Sequence, residues 1–484
     1  MIAGTPTGVP QLKWVSSIPN NGLIRYKGLL NQERVLVTSA KAISEVLVTK
    51  SYDFKKPGQI RFTLGRILGV GILLAEGDEH KLQRRNLMPA FAFRHIKDLY
   101  PVFWDKGREG VQALTEYVLS EAAKTPAPQD LEKGSELDGK TTAVVEVGSW
   151  ASRMTLDIIG VAGLGRDFGA IRDTQNPLFK TYNHLFKPSR QAQILTLMGL
   201  VFPGWLISAI PVKRNEDIAA AAKVIRSTCR DLIREKKHKL ERKELTDVDI
   251  LSVALESGGF TEDNLVDQLM TFLAAGHETT ASSMTWATYL LSRYPEIQTR
   301  LREEVRSNLP SLNDAASISS LDIDHLPYLN AVCSEVLRYW SPVPMTMRET
   351  AVETTIEGQK IPKGTRIILS PAATNKDVHL WGPDALTFNP DRWIPKFEGD
   401  KQAASGGASS NYAFLTFLHG PRSCIGMSFA RAEFACLLAA WVGRFEFSLK
   451  NKEEMDETKI AIKGGITSRP AKGLYVYAKV LDGW

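Results

Sequence analysis

The alternation of apolar and polar positions changes period along the chain. Leu23–Tyr26 and Arg34–Thr38 alternate as strands around a polar turn at Asn31-Gln32, which predicts a β-hairpin. Ser39–Lys50 reads as a short helix. From Glu76 to about Ser120 the apolar positions recur at helical spacing, with breaks at Pro89 and Pro101. Residues 123–141 (AKTPAPQDLEKGSELDGKT) are rich in Pro, Gly and charge and predict an exposed loop. Helical periodicity resumes at about Trp150. Asp217–Lys243 predicts a long amphipathic helix whose basic end, REKKHKLERK, reads as a solvated face.

Thr261–Tyr294 is the longest uninterrupted helical pattern. Glu262 and Asp263 suit its first turn and Pro295 stops it. Such a helix is roughly 50 Å long, enough to cross a whole domain. A further helix is expected at Tyr328–Trp340. Beyond it the character turns to β at Thr354–Ile356 and Thr365–Leu369, around turns at Glu357-Gly358 and Pro362–Gly364. Residues 403–410 (AASGGASS) read as a floppy insertion, Met427–Trp441 as a largely apolar helix and Leu474–Val480 as a strand. The expected fold class is mainly α with a smaller β region.

Composition narrows the function classes. Sixty basic residues stand against 54 acidic ones among 484, a net charge of +6. That excess is too mild and too dispersed for nucleic acid. It leaves room for a basic face toward an acidic protein or an anionic membrane. The four cysteines, Cys229, Cys333, Cys424 and Cys436, form no CxxC pair, which argues against a disulfide scaffold and for a reducing compartment. Neither a signal pattern nor an apolar run near 20 residues occurs at the N-terminus. One internal run, Ile194–Pro211, carries no charge; Pro203-Gly204 interrupts it, which argues against a single spanning helix.

The chemistry concentrates around Cys424. Phe417, Gly420, Arg422, Cys424 and Gly426 stand at the fixed spacing FxxGxRxCxG. A thiolate that binds haem iron must stay anionic, protected and aimed. Glycines let the backbone approach and turn N–H groups toward the sulfur. Those bonds tune the electron density passed to the iron. Arg422 supplies the charge that a buried carboxylate needs. A helix that starts just after Cys424 sets its positive dipole end near the sulfur. Upstream, Glu335 and Arg338 form an ExxR pair on one helix face. Mid-way along the long helix, Ala275-Gly276-His277-Glu278-Thr279 places an acid beside a hydroxyl. Gly276 would leave room for oxygen beside the helix.

Taken together, and in this order along the chain, these motifs resemble those of the cytochrome P-450 family. The resemblance runs from about Leu23 to Val480. It implies one large haem domain over 23–480, preceded by a segment, 1–22, that follows a missing membrane anchor. It implies haem b (iron protoporphyrin IX) ligated by Cys424. Arg392, in the segment Phe388–Trp393, would complete a buried network with Glu335 and Arg338. Arg422, His80, Arg84 and Arg348 would contact the propionates, with His80 standing where the family carries tryptophan. Phe417, Gly426 and Ala275 would line the cofactor. Glu278 and Thr279 would manage protons, and His277 would not be a ligand. The other three cysteines would fill core space.

The implied activity is insertion of one oxygen atom into a lipophilic small molecule. Oxidative coupling, and a reductase-independent isomerase, dehydratase or peroxygenase, are the alternatives; the retained Glu278-Thr279 pair favours the monooxygenase. No Rossmann, flavin or iron–sulfur signature is present, so electrons would come from a separate NADPH–cytochrome reductase, with cytochrome b5 as a further partner. The resemblance is to the eukaryotic membrane-bound type, which implies the cytosolic face of the endoplasmic reticulum and secondary metabolism. Ile194–Pro211 falls where such proteins dip into the membrane. Substrate would touch Ala274, Ala275, Val343–Met347 and the neighbourhood of Ile466-Thr467.

Overall fold

The computed structural model describes residues 8–28, 31–124, 140–186, 191, 194–195, 198–199, 202–244, 249–397, 399–463 and 466–484. Its axis is the helix Glu262–Arg293, within one residue of the expected bounds at each end. Thr261 caps it, its Oγ1 accepting the Asn264 N–H at 3.3 Å, and satisfies a donor the helix itself cannot. Between Gln268 and Ser292 every side chain is buried save at Ala275, Gly276 and Thr279. These three share one face, so a helix otherwise wrapped by protein opens at a single place.

The helices Val147–Ile158, Lys213–Glu241, Pro327–Tyr339 and Met427–Arg444 pack on it, and Tyr100–Lys124 packs behind the first and last of these. Trp104, Trp286 and Trp441 are fully buried in this core. Trp286 stacks on Trp340 with ring centroids 4.1 Å apart.

The smaller β part is a mixed five-stranded sheet. Leu23–Lys27 pairs with Glu33–Val37, the expected hairpin, with Leu23 opposite Val37. The second strand runs parallel to Arg366–Leu369, which pairs antiparallel with Thr346–Thr350; Phe54–Lys55 closes the edge. A second sheet joins Thr142–Glu146, Tyr475–Val480 and Phe445–Leu449. The first sheet matters for the site because it carries Arg348 and Phe54.

Pro89 and Pro101 interrupt the pattern as expected, and Pro101 sits in the first turn of a new helix, Tyr100–Lys124, where the missing N–H costs nothing. The stretch from Glu76 is the helix Gly77–Leu87, followed by short turns from Met88 to Leu99. Other expectations are corrected. Residues 403–410 are not floppy. Ala403 is buried, Ser409 N–H donates to Leu380 at 2.9 Å, and the Gly406 carbonyl accepts Arg392 Nη1 at 3.0 Å. The basic helix end is not wholly solvated: Lys236 turns inward to a buried ion pair with Asp249. Of the Pro/Gly-rich loop, 125–139 lie outside the described residues, as do 196–197 and 200–201 of the uncharged run. The rest of that run ends in a short helix, Gly204–Ala209, with Phe202, Trp205 and Leu206 exposed. Among the described residues no helix is long and apolar enough to cross a membrane.

Candidate functional site

The Cys424 loop is shaped by its backbone. Cys424 N–H donates to the Phe417 carbonyl at 2.8 Å and closes the turn. Gly420 has φ 74°, and a Cβ there would stand 2.2 Å from the Leu47 carbonyl oxygen. Only glycine meets both conditions. The helix Met427–Arg444 begins three residues after the cysteine and directs its N-terminus at the loop. Cys424 keeps an open face, although the surrounding chain encloses it closely enough for burial to push its thiol up. The Gly426 N–H and the Arg84 guanidinium act the other way and favour the anion. Cys229, Cys333 and Cys436 are buried, and burial pushes each thiol up, that of Cys229 to about 12.

The loop and the opening on the long helix are bracketed by two contacts. On one side Phe272 meets Phe91 edge-on at 5.5 Å, and Phe91 lies against Gly426. On the other, Thr280 Oγ1 donates to Glu433 of the cysteine helix at 2.9 Å. Ala275 and Thr279 lie between these contacts along the long helix. Thr279 Oγ1 donates to the Ala275 carbonyl at 2.9 Å. A Cβ at Gly276 would press within 3.0 Å of Ile159, so its small size lets the long helix pack on the segment around Ile159.

A basic cluster surrounds the loop. Arg84 lies one turn after His80 on Gly77–Leu87, and its Nη1 donates to the Ser423 carbonyl at 2.6 Å. His80 is buried, its Nδ1 3.2 Å from the Tyr52 hydroxyl. Burial, with repulsion from Arg422, Lys56 and Arg84, pushes its imidazole down to about 4. Arg422 Nη1 donates to the Phe54 carbonyl at 2.6 Å, and its Nη2 pairs with Glu76 at 2.5 Å. Its buried Nε has no hydrogen-bond partner among the described residues. Among the described residues Arg348 donates only to Thr346 Oγ1 and the Met347 carbonyl, and burial together with Arg422 lowers it to about 10. Lys56 is pushed well below the usual lysine range by burial, Arg348 and Arg422.

Sequence reasoning named four members of this cluster and missed Lys56, Tyr52 and Glu76. Their only signal was the run Lys55-Lys56-Pro57 ahead of a helix, which spacing alone does not interpret. Among the described residues Glu76 is the one carboxylate that acts on Lys56, His80 and Arg348 alike. Buried cations in such excess call for an anion. A flat group with two carboxylates would supply it. The residues present therefore fit haem: Cys424 for the iron, and Arg348, Arg422, Arg84, His80 and Lys56 for the propionates.

Glu278 is drawn elsewhere. It pairs with Arg469, and its Oε1 accepts the Thr467 hydroxyl at 3.1 Å. His277 is buried, edge-on to Tyr182 at 4.9 Å, with Nδ1 against the Leu273 carbonyl. Glu335, Arg338 and Arg392 come together as expected: Arg338 binds both oxygens of Glu335, and Arg392 Nε stands 3.3 Å from Oε1.

A sequence model described as Cytochrome P450 matches residues 24–475. The chain is 47% identical to cytochrome P450 monooxygenase FUM15 of Gibberella moniliformis, over 98% of this chain and 84% of that protein. It is also 47% identical to cytochrome P450 monooxygenase sphH of Aspergillus fumigatus, over 100% and 86%. With cytochrome P450 monooxygenase ALT8 of Alternaria alternata it shares 44%, over 99% and 86%. The match spans almost the whole fold and includes the cysteine loop, the ExxR helix and the long helix, so the chain belongs to the cytochrome P450 family and is a haem-iron monooxygenase.

Proposed function

We propose that this protein inserts one atom of dioxygen into a lipophilic small molecule, with electrons from a separate NADPH-dependent flavoprotein reductase. One oxygen atom enters the substrate and the other leaves as water; NADPH supplies two electrons, and two protons are consumed. The observation that carries the reading is Cys424 with an open face, bracketed together with the open face at Ala275 and Thr279. Haem b, when bound, supplies the reduction and activation of oxygen.

The chain's own residues do the rest. Cys424 would hold the iron, and the Gly426 N–H and Arg84 temper its charge. Arg348, Arg422, Arg84, His80 and Lys56 would hold the propionates. Ala275, with no bulk beyond Cβ, leaves space at the opening of the long helix. Thr279 presents a hydroxyl at the same opening and holds a proton there. Glu278 brings protons inward from the turn at Thr467 and Arg469. Ala274 and Val343–Met347 offer small or apolar surface, which suits a lipophilic substrate and excludes water.

The protein works at a membrane surface, on the cytosolic face of the endoplasmic reticulum, with cytochrome b5 as a further electron donor. Exposed Phe62 lies beside Gly204, near exposed Phe202, Trp205 and Leu206. A cluster of large apolar side chains around a Pro-Gly turn suits the headgroup boundary.

The test is turnover with labelled dioxygen, NADPH and reductase. The expected product carries one labelled atom, and the reduced protein with carbon monoxide shows the red-shifted Soret band of a thiolate ligand. Cys424→Ala abolishes both. Product that forms without NADPH, or carries no label, overturns the monooxygenase reading in favour of rearrangement or coupling.

A further inference from the structure

Glu278, Ser282 and Trp286 succeed one another by one helical turn, so they share a face of the long helix. All three meet one stretch of chain, Thr467–Arg469. Thr467 Oγ1 donates to Glu278 Oε1 at 3.1 Å, and Arg469 pairs with the same oxygen. Ser282 Oγ donates to the Ser468 carbonyl at 2.7 Å, and Trp286 Nε1 donates to that carbonyl at 3.1 Å. Ser468 N–H in turn donates to Pro342 at 2.8 Å, next to the segment Val343–Met347. Glu278 Oε2 accepts no hydrogen bond among the described residues.

We propose that Arg469, assisted by Thr467, is the positioning residue for Glu278: by anchoring Oε1 it leaves Oε2 as the one atom that takes up a proton and passes it toward Thr279. This rests on the reading of Glu278 as the proton carrier. A proton donor acts only within hydrogen-bond reach, so the resting place of its oxygens decides its usefulness. A guanidinium fixes a carboxylate more narrowly than a single neutral donor does. The Glu278 side chain is 10% exposed and that of Arg469 25%, so water screens the pair only partly. The ladder through Ser282 and Trp286 keeps Arg469 in place even when Glu278 moves. The bond from Ser468 to Pro342 ties the same stretch to the chain that meets the substrate.

The experiment measures product per NADPH in the haem-loaded protein with reductase, for Arg469→Gln, Arg469→Lys, Thr467→Val, Glu278→Gln and the double variant of Arg469→Gln and Glu278→Gln. Arg469→Gln is expected to lower product per NADPH by roughly tenfold, within the range of a positioned acid–base group. The remaining NADPH appears as hydrogen peroxide, the two-electron, two-proton reduction product of dioxygen. Haem content and the substrate-binding spectrum stay as in the parent. Arg469→Lys restores most of the ratio, because a cation returns to Oε1; Thr467→Val gives a smaller loss. The double variant behaves as Glu278→Gln alone, since residues that act through one another are not additive. If Glu278→Gln leaves the ratio unchanged, the proton-carrier reading fails and this inference with it. If Glu278→Gln lowers the ratio while the Arg469→Gln effect is absent, or adds to it in full, only the positioning role is overturned. Should Arg469→Gln lose haem, Arg469→Lys and Thr467→Val decide: parental haem with an unchanged ratio in Thr467→Val and no rescue by Lys overturns the proposal.

Discussion

Arg338 grips Glu335 with two parallel hydrogen bonds, Nε to Oε2 and Nη2 to Oε1, both 2.7 Å, and neither side chain is exposed at all. The same carboxylate accepts the Asn389 N–H at 2.9 Å and the Trp393 indole at 3.0 Å. Arg338 goes on to the carbonyls of Asn375, Ala385 and Thr387. The pair therefore ties its helix to the stretch that leads toward the cysteine loop. Glu335→Ala leaves Arg338 buried without its counter-charge, a loss of about 3–5 kcal/mol. That is a large part of a domain's net stability, roughly 5–15 kcal/mol. Haem per chain and the urea midpoint are both expected to collapse; parental values for both would show that the network is dispensable.

How much of this was legible depended on whether a neighbour in sequence is a neighbour in space. The Glu335–Arg338 pair follows from helical spacing, and the bounds of Glu262–Arg293 follow from its Thr261 cap and Pro295 stop. The shape of the Cys424 loop was legible because glycine spacing encodes backbone geometry. Lys56 and Glu76 were not, because they join the site only through the edge strand Phe54–Lys55 and the start of Gly77–Leu87. Arg469 was missed for the same reason: nearly two hundred residues separate it from Glu278. The packing role of Gly276 was not legible, because a small residue announces a close approach without naming the partner; here the partner is Ile159. The Ala403–Ser410 stretch looked floppy by composition, whereas Gly406 accepts Arg392 and lies against Trp393.

The basic cluster gives a prediction of opposite signs. Arg348 is buried beside Arg422 and has no carboxylate bonded to it among the described residues. In haem-free protein Arg348→Met removes a repulsion, so its melting temperature is expected to equal or exceed that of the haem-free parent. In loaded protein the same change removes a charge-assisted bond worth about 1.5–3 kcal/mol. Haem transfer to an apoglobin acceptor is then expected to speed up by roughly 10- to 100-fold. Equal transfer rates would remove Arg348 from the cofactor site.

Glu433 bears on stability rather than on turnover. It is fully buried, its Oε1 has no hydrogen-bond partner among the described residues, and burial pushes its carboxyl well above the usual range, with only Thr280 acting against this. A carboxyl raised in the folded state contributes fully below the unfolded value and loses that contribution as pH rises toward the folded value. Glu433→Gln removes the titration and keeps an acceptor for Thr280. Its denaturation midpoint is expected to match the parent near pH 4 and to exceed it increasingly toward pH 8. A difference that does not change with pH would mean that Glu433 is ionised in the fold.

Thr279 is the residue on which the proton reading turns. It stands at the opening on the long helix, and its hydroxyl donates to the Ala275 carbonyl at 2.9 Å, which leaves its lone pairs free to accept. Thr279→Val preserves the shape and the β-branched stem and deletes only the hydroxyl. Haem content, the carbon monoxide spectrum and substrate binding are expected to be unchanged, because none of them uses the hydroxyl. Product per NADPH is expected to fall and hydrogen peroxide to rise in compensation. A positioned acid–base group is worth about 10²–10⁴ in rate. Water that enters the vacated space recovers part of this, so the ratio of product to NADPH reads the effect better than the rate does. Thr279→Ser returns the hydroxyl and is expected to restore the ratio. If Thr279→Val keeps the parental ratio with several substrates, including one without a hydroxyl of its own, the proton path does not run through Thr279, and the opening at Ala275 serves only to make room.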